Sequence, residues 1–288
     1  MKLEESRVIG EVMELFSFPF VHRMLIAGLL ASVVGGIIGT YVVVNRVVVM
    51  SGGIAHITFG GIGLAYLLQD KLNWWWMDPL IGALVFALAS GAVFSSNYVR
   101  KRVRQDSTVG VLWVIGMALG ILFINLVDKS RVTVQDPSSI LFGNILLIER
   151  LDLYLFAALT FLIVLTVFVF FRDFRILTFD EEFARISGLN VSWLNLLLFS
   201  LIALTVVILI RVVGVVLVIA MLTIPAAISS LFNTRLNTTM GVAVVIGLIG
   251  SFLGIFSSLV FDTPPGPMIV LWLGAAFIPA FAVGKKFS

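Results

Sequence analysis

RDFRILTFDEEFARISGLN, residues 172–190, is a polar segment in a chain of 288 residues that is otherwise strongly hydrophobic. Seven of its first fourteen residues are charged. On both sides of it the chain carries uncharged runs of about the length of a membrane-spanning helix, roughly 20 residues. The segment therefore divides a series of predicted spans and must itself lie outside the membrane.

The composition is that of a membrane protein. Hydrophobic residues make up 60% of the chain and charged residues only 12%, against about a quarter in soluble domains. The net charge is +3, and membrane topology explains the basic residues better than a phosphate-binding surface, so we expect no nucleic-acid partner. The absence of cysteine excludes disulfides, thiolate metal ligands and cysteine nucleophiles.

Nine uncharged runs approach the length of a spanning helix, and they predict an all-α integral membrane protein, a bundle of about nine spans. Five precede the polar segment and four follow it: residues 24–44, 53–69, 79–99, 107–127, 153–171, 186–210, 212–234, 236–261 and 263–284. No linker separates them, so residues 1–288 form one predicted transmembrane domain that begins with an interfacial segment, 1–17. A twelve-residue run at 137–148, and Arg211 standing alone between two runs, leave eight or ten spans as alternatives.

The basic residues predict the orientation of the bundle. With the polar segment inside, eleven of the nineteen lysines and arginines lie on that same side, among them the dense cluster RKRVR at 100–104. Short loops rich in lysine and arginine stay in the cytoplasm. We therefore expect a multi-pass protein of the cytoplasmic membrane with its amino terminus outside and its carboxyl terminus inside.

The polar segment contains the signals of one short helix. Thr178 and Glu181 have the spacing of a capping box, and Gly188 suits the exit of a helix. The predicted helix covers residues 179–187. One face is apolar and the other is charged, with Phe179, Phe183 and Ile186 on the first and Glu181, Glu182 and Arg185 on the second.

Several kinds of chemistry are excluded by what the sequence lacks. It has no G-x-x-x-x-G-K-[ST] loop to bind the phosphates of ATP, and no H-E-x-x-H zinc motif. No aspartate or glutamate lies within the nine runs, which argues against a proton-coupled carrier. We therefore do not expect the chain to be an enzyme, and energy-coupled transport would need a separate partner.

His56 is the one ionisable residue within the nine runs. An imidazole inside the membrane is a candidate metal ligand or gate residue on a polar path. A neutral histidine, hydrogen-bonded between helices, is the equally weighted alternative. The glycines around His56 favour close helix packing over a direct role in binding.

Several segments, in order along the chain, carry a resemblance to a known family. They are the histidine-bearing second span, LFGNILLI at 141–148, DEEFARISGLNV at 180–191, RVVGVVLVIAMLTIPAA at 211–227, and FDTPPGP at 261–267. On these segments the chain resembles, over nearly its whole length, the permease subunits of the zinc, manganese and iron uptake family of ABC transporters.

The resemblance implies the helical permease fold shared with vitamin B12 and siderophore importers. It also implies a homodimer that forms the pathway, paired with two ATP-binding subunits inside and an extracytoplasmic metal-binding protein outside. The cargo would be a divalent zinc, manganese or iron ion, with no tightly bound cofactor. A permease for a chelated metal or a vitamin, and a membrane scaffold that transports nothing, remain as alternatives.

By the same resemblance, the segment matching DEEFARISGL is the coupling helix that docks in a groove of the ATPase. The residues that this assigns to ATPase coupling are Asp180, Glu181, Glu182, Phe183, Arg185, Ile186 and Gly188. From the residue types alone, packing of Phe179 and Phe183 back onto the bundle or onto the lipid interface is the competing interpretation.

The chain departs from the family at one position. The family commonly has G-D-x-x-x-H in the second span, so that a carboxylate and the imidazole share one helical face. Here Gly52 stands where that aspartate would be, and His56 is left as the metal-path candidate, either with other ligands or paired across a dimer axis. Asp262, in the turn before the last run, is the candidate contact for the external protein, with a plain turn as the alternative.

Overall fold

The computed structural model describes residues 18–96, 105–128, 130–134 and 150–284. Within these ranges the chain forms ten α-helices and no strand, as the sequence predicts. The predictions made for the interfacial segment 1–17, the basic cluster at 100–104 and the apolar run at 137–148 lie outside the described residues.

The helices are numbered here in chain order. They are α1 (Pro19–Val44), α2 (Val48–Leu72), α3 (Pro79–Ser95), α4 (Gln105–Asn125), α5 (Arg150–Val169), α6 (Phe171–Phe179), α7 (Glu181–Ile186), α8 (Val191–Phe232), α9 (Leu236–Phe261) and α10 (Pro265–Gly284). Eight stretches of the described chain are long and apolar enough to cross a membrane, counting two within α8. The remaining apolar helix, α3, has 17 residues, which is the lower limit for a span.

The helix α8 is broken at Gly214, whose φ of 79° and ψ of 163° lie outside the helical range. Its two arms, Val191–Arg211 and Val213–Phe232, are each long enough to span. The chain must reverse between them, because both ends of α8 lie on the side of the polar segment. The tight turn predicted near Arg211 is therefore present.

Contacts between α1, α6 and α9 establish that reversal. The amide of Asn45, just after α1, donates a hydrogen bond to Thr178 of α6 at 3.3 Å, so the end of α1 lies beside the polar segment. α9 runs antiparallel to α1, since Ser32 bonds Ser251 at 3.1 Å while Gly36 lies against Val244. The start of α9 is therefore on the side of the polar segment as well.

The boundaries of α2 correct one expectation. The helix continues through Lys71, so the predicted run 53–69 ends too early and Asp70 lies in the last turn of the helix. The Asp70 side chain is 1% exposed and pairs with the ammonium of Lys71 at 2.8 Å. The backbone N–H of Asp128 also donates to Asp70 at 3.2 Å. Each predicted run was ended at its first charged residue, so the run predicted for α2 is shorter than the helix. The helix itself continues because paired charges are tolerated in the last turn of a span.

Small residues set how closely the helices approach. α2 packs against α3 and α4, whereas α1 packs against α9, and α8 contacts both groups. The crossing of α2 and α3 places the backbones of Gly61 and Gly82 in direct contact, which leaves no room for a side chain at either position. In lipid, where helices gain little from burying apolar surface against each other, such close backbone packing is a main source of association.

We expect Gly61→Ala to destabilise the bundle. The added carbon would press on the carbonyl of Gly82, and backbone atoms cannot move aside as a side chain can. A cost of about 1–3 kcal/mol is typical of overpacking. The midpoint of thermal unfolding in detergent should fall accordingly.

Gly110→Ala is the matched control, because nothing lies within 4 Å of the carbon it would add. Alanine also favours a helix over glycine by roughly 0.5–1 kcal/mol, so this variant should melt at or above the wild-type midpoint. Equal melting of the two variants would contradict the packing described for α2 and α3.

Candidate functional site

His56 lies on the face of α2 that is turned towards α4. Its half-buried ring stacks on the indole of Trp113, with ring centroids 4.0 Å apart and planes inclined by 13°. The Nδ1 atom of His56 is buried and has no hydrogen-bond partner among the described residues. The ring is therefore held by stacking, and a hydrogen bond from Nδ1 to another helix is not found in the described part of the chain.

Gly52 occupies the same face of α2 one turn earlier. A Cβ added there would lie 3.9 Å from Ile219 and 4.0 Å from Trp113, both ordinary van der Waals distances. A Cβ therefore fits at position 52 without a clash, but the sequence supplies no carboxylate there. No group of three or more His, Cys, Asp or Glu side chains in the described residues could hold a metal ion. Among the described residues the position therefore offers a single imidazole, and its role as a metal ligand stays a prediction.

The polar segment folds as two helices, not one. α6 ends at Phe179 and α7 begins at Glu181, with Asp180 between them in an extended conformation. The carboxylate of Asp180 accepts a hydrogen bond from the backbone N–H of Phe183 at 2.8 Å, so Asp180 is the N-cap. The predicted cap, Thr178, is wrong, because that residue lies inside α6 and bonds to α1 instead.

The C-terminal end of α7 agrees with the prediction that Gly188 follows the helix. Gly188 has a φ of 82°, a left-handed conformation that favours glycine. The backbone N–H of Gly188 donates to Arg185 at 3.2 Å, and that of Leu189 donates to Ala184 at 3.0 Å. These two bonds form a Schellman motif, which satisfies the last carbonyls of the helix. Glu181 and Arg185 add a surface ion pair at 3.4 Å, one turn apart.

Three large apolar side chains at the junction of α6 and α7 and along α7 point away from the bundle, whereas Phe174 and Leu177 of α6 are buried in it. Ala184 is fully buried and seats α7 on the protein, whereas Phe183 is 54% exposed and Ile186 is 84% exposed. Phe179, at the end of α6, is 61% exposed. We call these three exposed residues, Phe179, Phe183 and Ile186, the apolar patch. Neither Phe179 nor Phe183 packs fully onto the bundle, whereas contact of these side chains with the lipid interface stays the alternative to docking of an ATPase.

Asp262 lies at the opposite end of the bundle from the apolar patch. It follows α9 in a left-handed conformation, with φ 51° and ψ 47°, and its side chain is exposed. The N–H of Thr263 then donates to Ser258 at 3.1 Å, closing the turn into α10. Its role as a contact for another protein stays a prediction.

The sequence did not predict the cluster of ion pairs around Arg211. The guanidinium of Arg211 lies 2.6 Å from the carboxylate of Asp152 and 3.4 Å from that of Asp78. These contacts fasten the break in α8 to the beginnings of α3 and α5. The signal in the sequence was the lone arginine between two apolar runs, but its partners are far away along the chain.

Comparison with known proteins places this architecture in a class. Residues 17–284 match the family described as the ABC 3 transport family. The probable metal transport system membrane protein of Chlamydia trachomatis is 36% identical over 270 residues, covering 94% of this chain and 91% of that protein. The manganese transport system membrane protein MntC of Halalkalibacterium halodurans is 31% identical over 273 residues, covering 95% and 90%.

A solved structure agrees with these sequence matches. PsaBC from Streptococcus pneumoniae in complex with Fab is similar with a TM-score of 0.82 at 29% identity, covering 95% of each chain. The fold is thus that of an ABC transporter permease. The chain belongs to the ABC 3 transport family, which confirms the resemblance drawn from its motifs.

We expect Gly52→Asp to place a carboxylate and an imidazole on one face of α2, where the two side chains can bind one metal ion together. The new carboxylate would share a face with His56, and the added carbon fits without a clash. Isothermal titration calorimetry should show that the purified variant binds Mn²⁺ or Zn²⁺ at least about tenfold more tightly than the wild type. Even groups that only support a metal ligand change the affinity by about that factor.

The double variant Gly52→Asp with His56→Ala is the control. It keeps the new carboxylate and removes the imidazole, so the gain in affinity should disappear. Retention of the gain would show that the two positions do not act on one ion.

Proposed function

We propose that the chain is the membrane subunit of an ATP-driven importer that carries a divalent transition metal across the cytoplasmic membrane. The observation that carries the proposal is the apolar patch, held outside the spans on a short capped helix of an ABC-type permease. The names of its relatives, a metal transport and a manganese transport membrane protein, support a metal ion as the cargo.

ATP hydrolysis belongs, in this proposal, to a partner subunit that docks on the apolar patch. The sequence has no phosphate-binding loop of its own, so the energy must enter through a protein contact. Phe183 and Ile186 would fill a groove of the partner, and the exposed Glu182 and Arg185 would lie at its rim. Because the buried Ala184 seats α7 on the bundle and the Schellman motif leads directly into α8, a force on the patch would be passed to the start of α8.

The orientation follows from the same assignment. If the patch faces the ATPase, its side is cytoplasmic, the amino terminus is outside, and the turn holding Asp262 faces an extracytoplasmic metal-binding protein. The excess of lysine and arginine on the side of the patch supports this direction. Exposed acids at the far end, such as Asp262, suit the approach of a cation.

His56 is the residue we assign to the metal path. It lies within a span, and its buried Nδ1 atom has no hydrogen-bond partner among the described residues. Two copies of the chain would bring two imidazoles to a shared axis and give an ion a pair of ligands in transit. Coordination by imidazole suits zinc and iron, and it accommodates manganese less well than carboxylate would.

Reconstitution of the chain with its ATPase and its external binding protein in vesicles tests the cargo. We expect ATP-dependent accumulation of radioactive zinc, manganese or iron, and a loss of roughly tenfold or more for His56→Ala, in line with the loss of a metal ligand or its support. The measurement is initial uptake at several metal concentrations.

Two results would overturn parts of the proposal separately. If none of the three ions accumulates in the wild-type vesicles, the proposed cargo is wrong, and uptake of a chelate or vitamin becomes the next assay. Normal uptake by His56→Ala, with import intact in the wild type, would reduce His56 to a packing residue.

Phe183→Asp and Glu182→Arg test the docking of the ATPase. Placing a charge in the groove contact, or reversing one at its rim, should weaken docking by about 2 kcal/mol, the size of a hot-spot loss. We expect ATP hydrolysis that no longer responds to the binding protein, together with little uptake.

Phe183→Leu preserves an apolar side chain at the same exposed position, so it should retain most of the coupling. The fold should not change in any of these variants, since Phe183 is 54% exposed. Full transport by Phe183→Asp would remove the coupling role from α7.

A further inference from the structure

An apolar cleft opens at the membrane-facing surface between α3, α5 and the first arm of α8. Both outer helices pack on α8, but they barely touch each other. The gap has a volume of about 240 Å³ and is lined by nine apolar side chains, three from each helix. Its rim includes Ile81 at 38% and Leu155 at 47% exposed, so the cleft is open on the side where lipid chains lie.

The cleft has a polar end. Asp152 and Arg211 line it there, on the side of the membrane away from the apolar patch. Asp78 completes the cluster from the start of α3, with its side chain 50% exposed beside Arg211 at 3.4 Å. Among the described residues, two carboxylates face this one guanidinium, which makes the cluster net negative there, and half of the Asp78 side chain is accessible to a further cation.

The shape and the charge together match a phospholipid. The cleft is smaller than the roughly 300–1,000 Å³ of sites for compact small molecules, and one end of it is continuous with the bilayer. An acyl chain can enter from the membrane without losing its apolar surroundings. At the polar end, a headgroup with both charges can place its phosphate near Arg211 and its ammonium near Asp78.

We propose that this cleft binds one aminophospholipid from the leaflet opposite the apolar patch, with an acyl chain between α3 and α5. Zwitterionic phosphatidylethanolamine fits the net negative cluster better than anionic phosphatidylglycerol, since the latter adds negative charge to two carboxylates. The bound lipid fills the gap that α3 and α5 leave open and supports the fastening of the α8 break.

The experiment uses the full chain in nanodiscs that contain equal amounts of phosphatidylethanolamine and phosphatidylglycerol with the same acyl chains. Native mass spectrometry after mild release counts the lipids that each protein retains. Leu84→Trp fills the cleft from inside, and we expect it to lose one retained lipid. Leu88→Trp, one turn further along α3 and outside the cleft, should keep the wild-type number.

Leu155→Trp gives a second way to close the cleft, from its exposed rim, in case the larger side chain at position 84 prevents assembly. Lipid retention equal to that of Leu88→Trp in both closing variants would overturn the proposed site. A wild-type chain that retains no lipid would overturn it as well.

Asp78→Asn tests the choice of headgroup. Asparagine still caps α3, where Asp78 now accepts a hydrogen bond from the N–H of Leu80 at 2.7 Å, so the helix start should persist. We expect the ratio of retained phosphatidylethanolamine to phosphatidylglycerol to fall roughly two- to fivefold, as for the loss of one exposed ion pair.

Asp128→Asn removes an exposed acid from the same side of the membrane without touching the cleft, and it should leave the ratio unchanged. Preference of the wild type for phosphatidylglycerol, or an equal shift in both variants, would overturn the headgroup assignment.

Discussion

Close contact between helix backbones is the constraint on which the rest of this structure depends. Inside a membrane, every backbone polar group must bond within its own helix, and the helices then associate through packing rather than through exclusion of water. The crossing of α2 with α3 at Gly61 and Gly82 has no space for any side chain. That crossing and the packing of α2 on α4 hold α2 in a fixed orientation. The ring of His56 consequently stacks on Trp113 instead of facing lipid.

The two candidate sites are built in different ways. The apolar patch rests on local chemistry, because Asp180 begins α7, Gly188 ends it, and both act within a few residues of their bonding partners. The surroundings of His56 are assembled from three helices that are distant in sequence. Substitutions within the polar segment are therefore enough to alter the apolar patch. The surroundings of His56 depend instead on how the helices of the bundle pack.

This difference explains what the sequence could predict. The span series, the break beside Arg211 and the glycine exit of α7 follow from patterns over short distances, and the structure bears them out. The sequence predicted Thr178 as the cap instead of Asp180 because both residue types cap helices. In the structure, α6 continues through Thr178, and Asp180 is the residue that accepts the N–H of Phe183. The hydrogen bond from Asp128 to Asp70, the stacking of Trp113 on His56 and the two partners of Arg211 could not be predicted, since no periodicity in the sequence indicates which helices become neighbours.

The conformation of Gly214 concentrates much of the architecture in one residue. Its φ of 79° with ψ of 163° belongs to a region that is essentially restricted to glycine. The first arm of α8 lies against α3 at Phe199, while the second lies against α1 at Met221. One glycine thus lets α8 turn back on itself, so that its two arms pack on different neighbours, and a residue with a Cβ would be strained at this point of the chain.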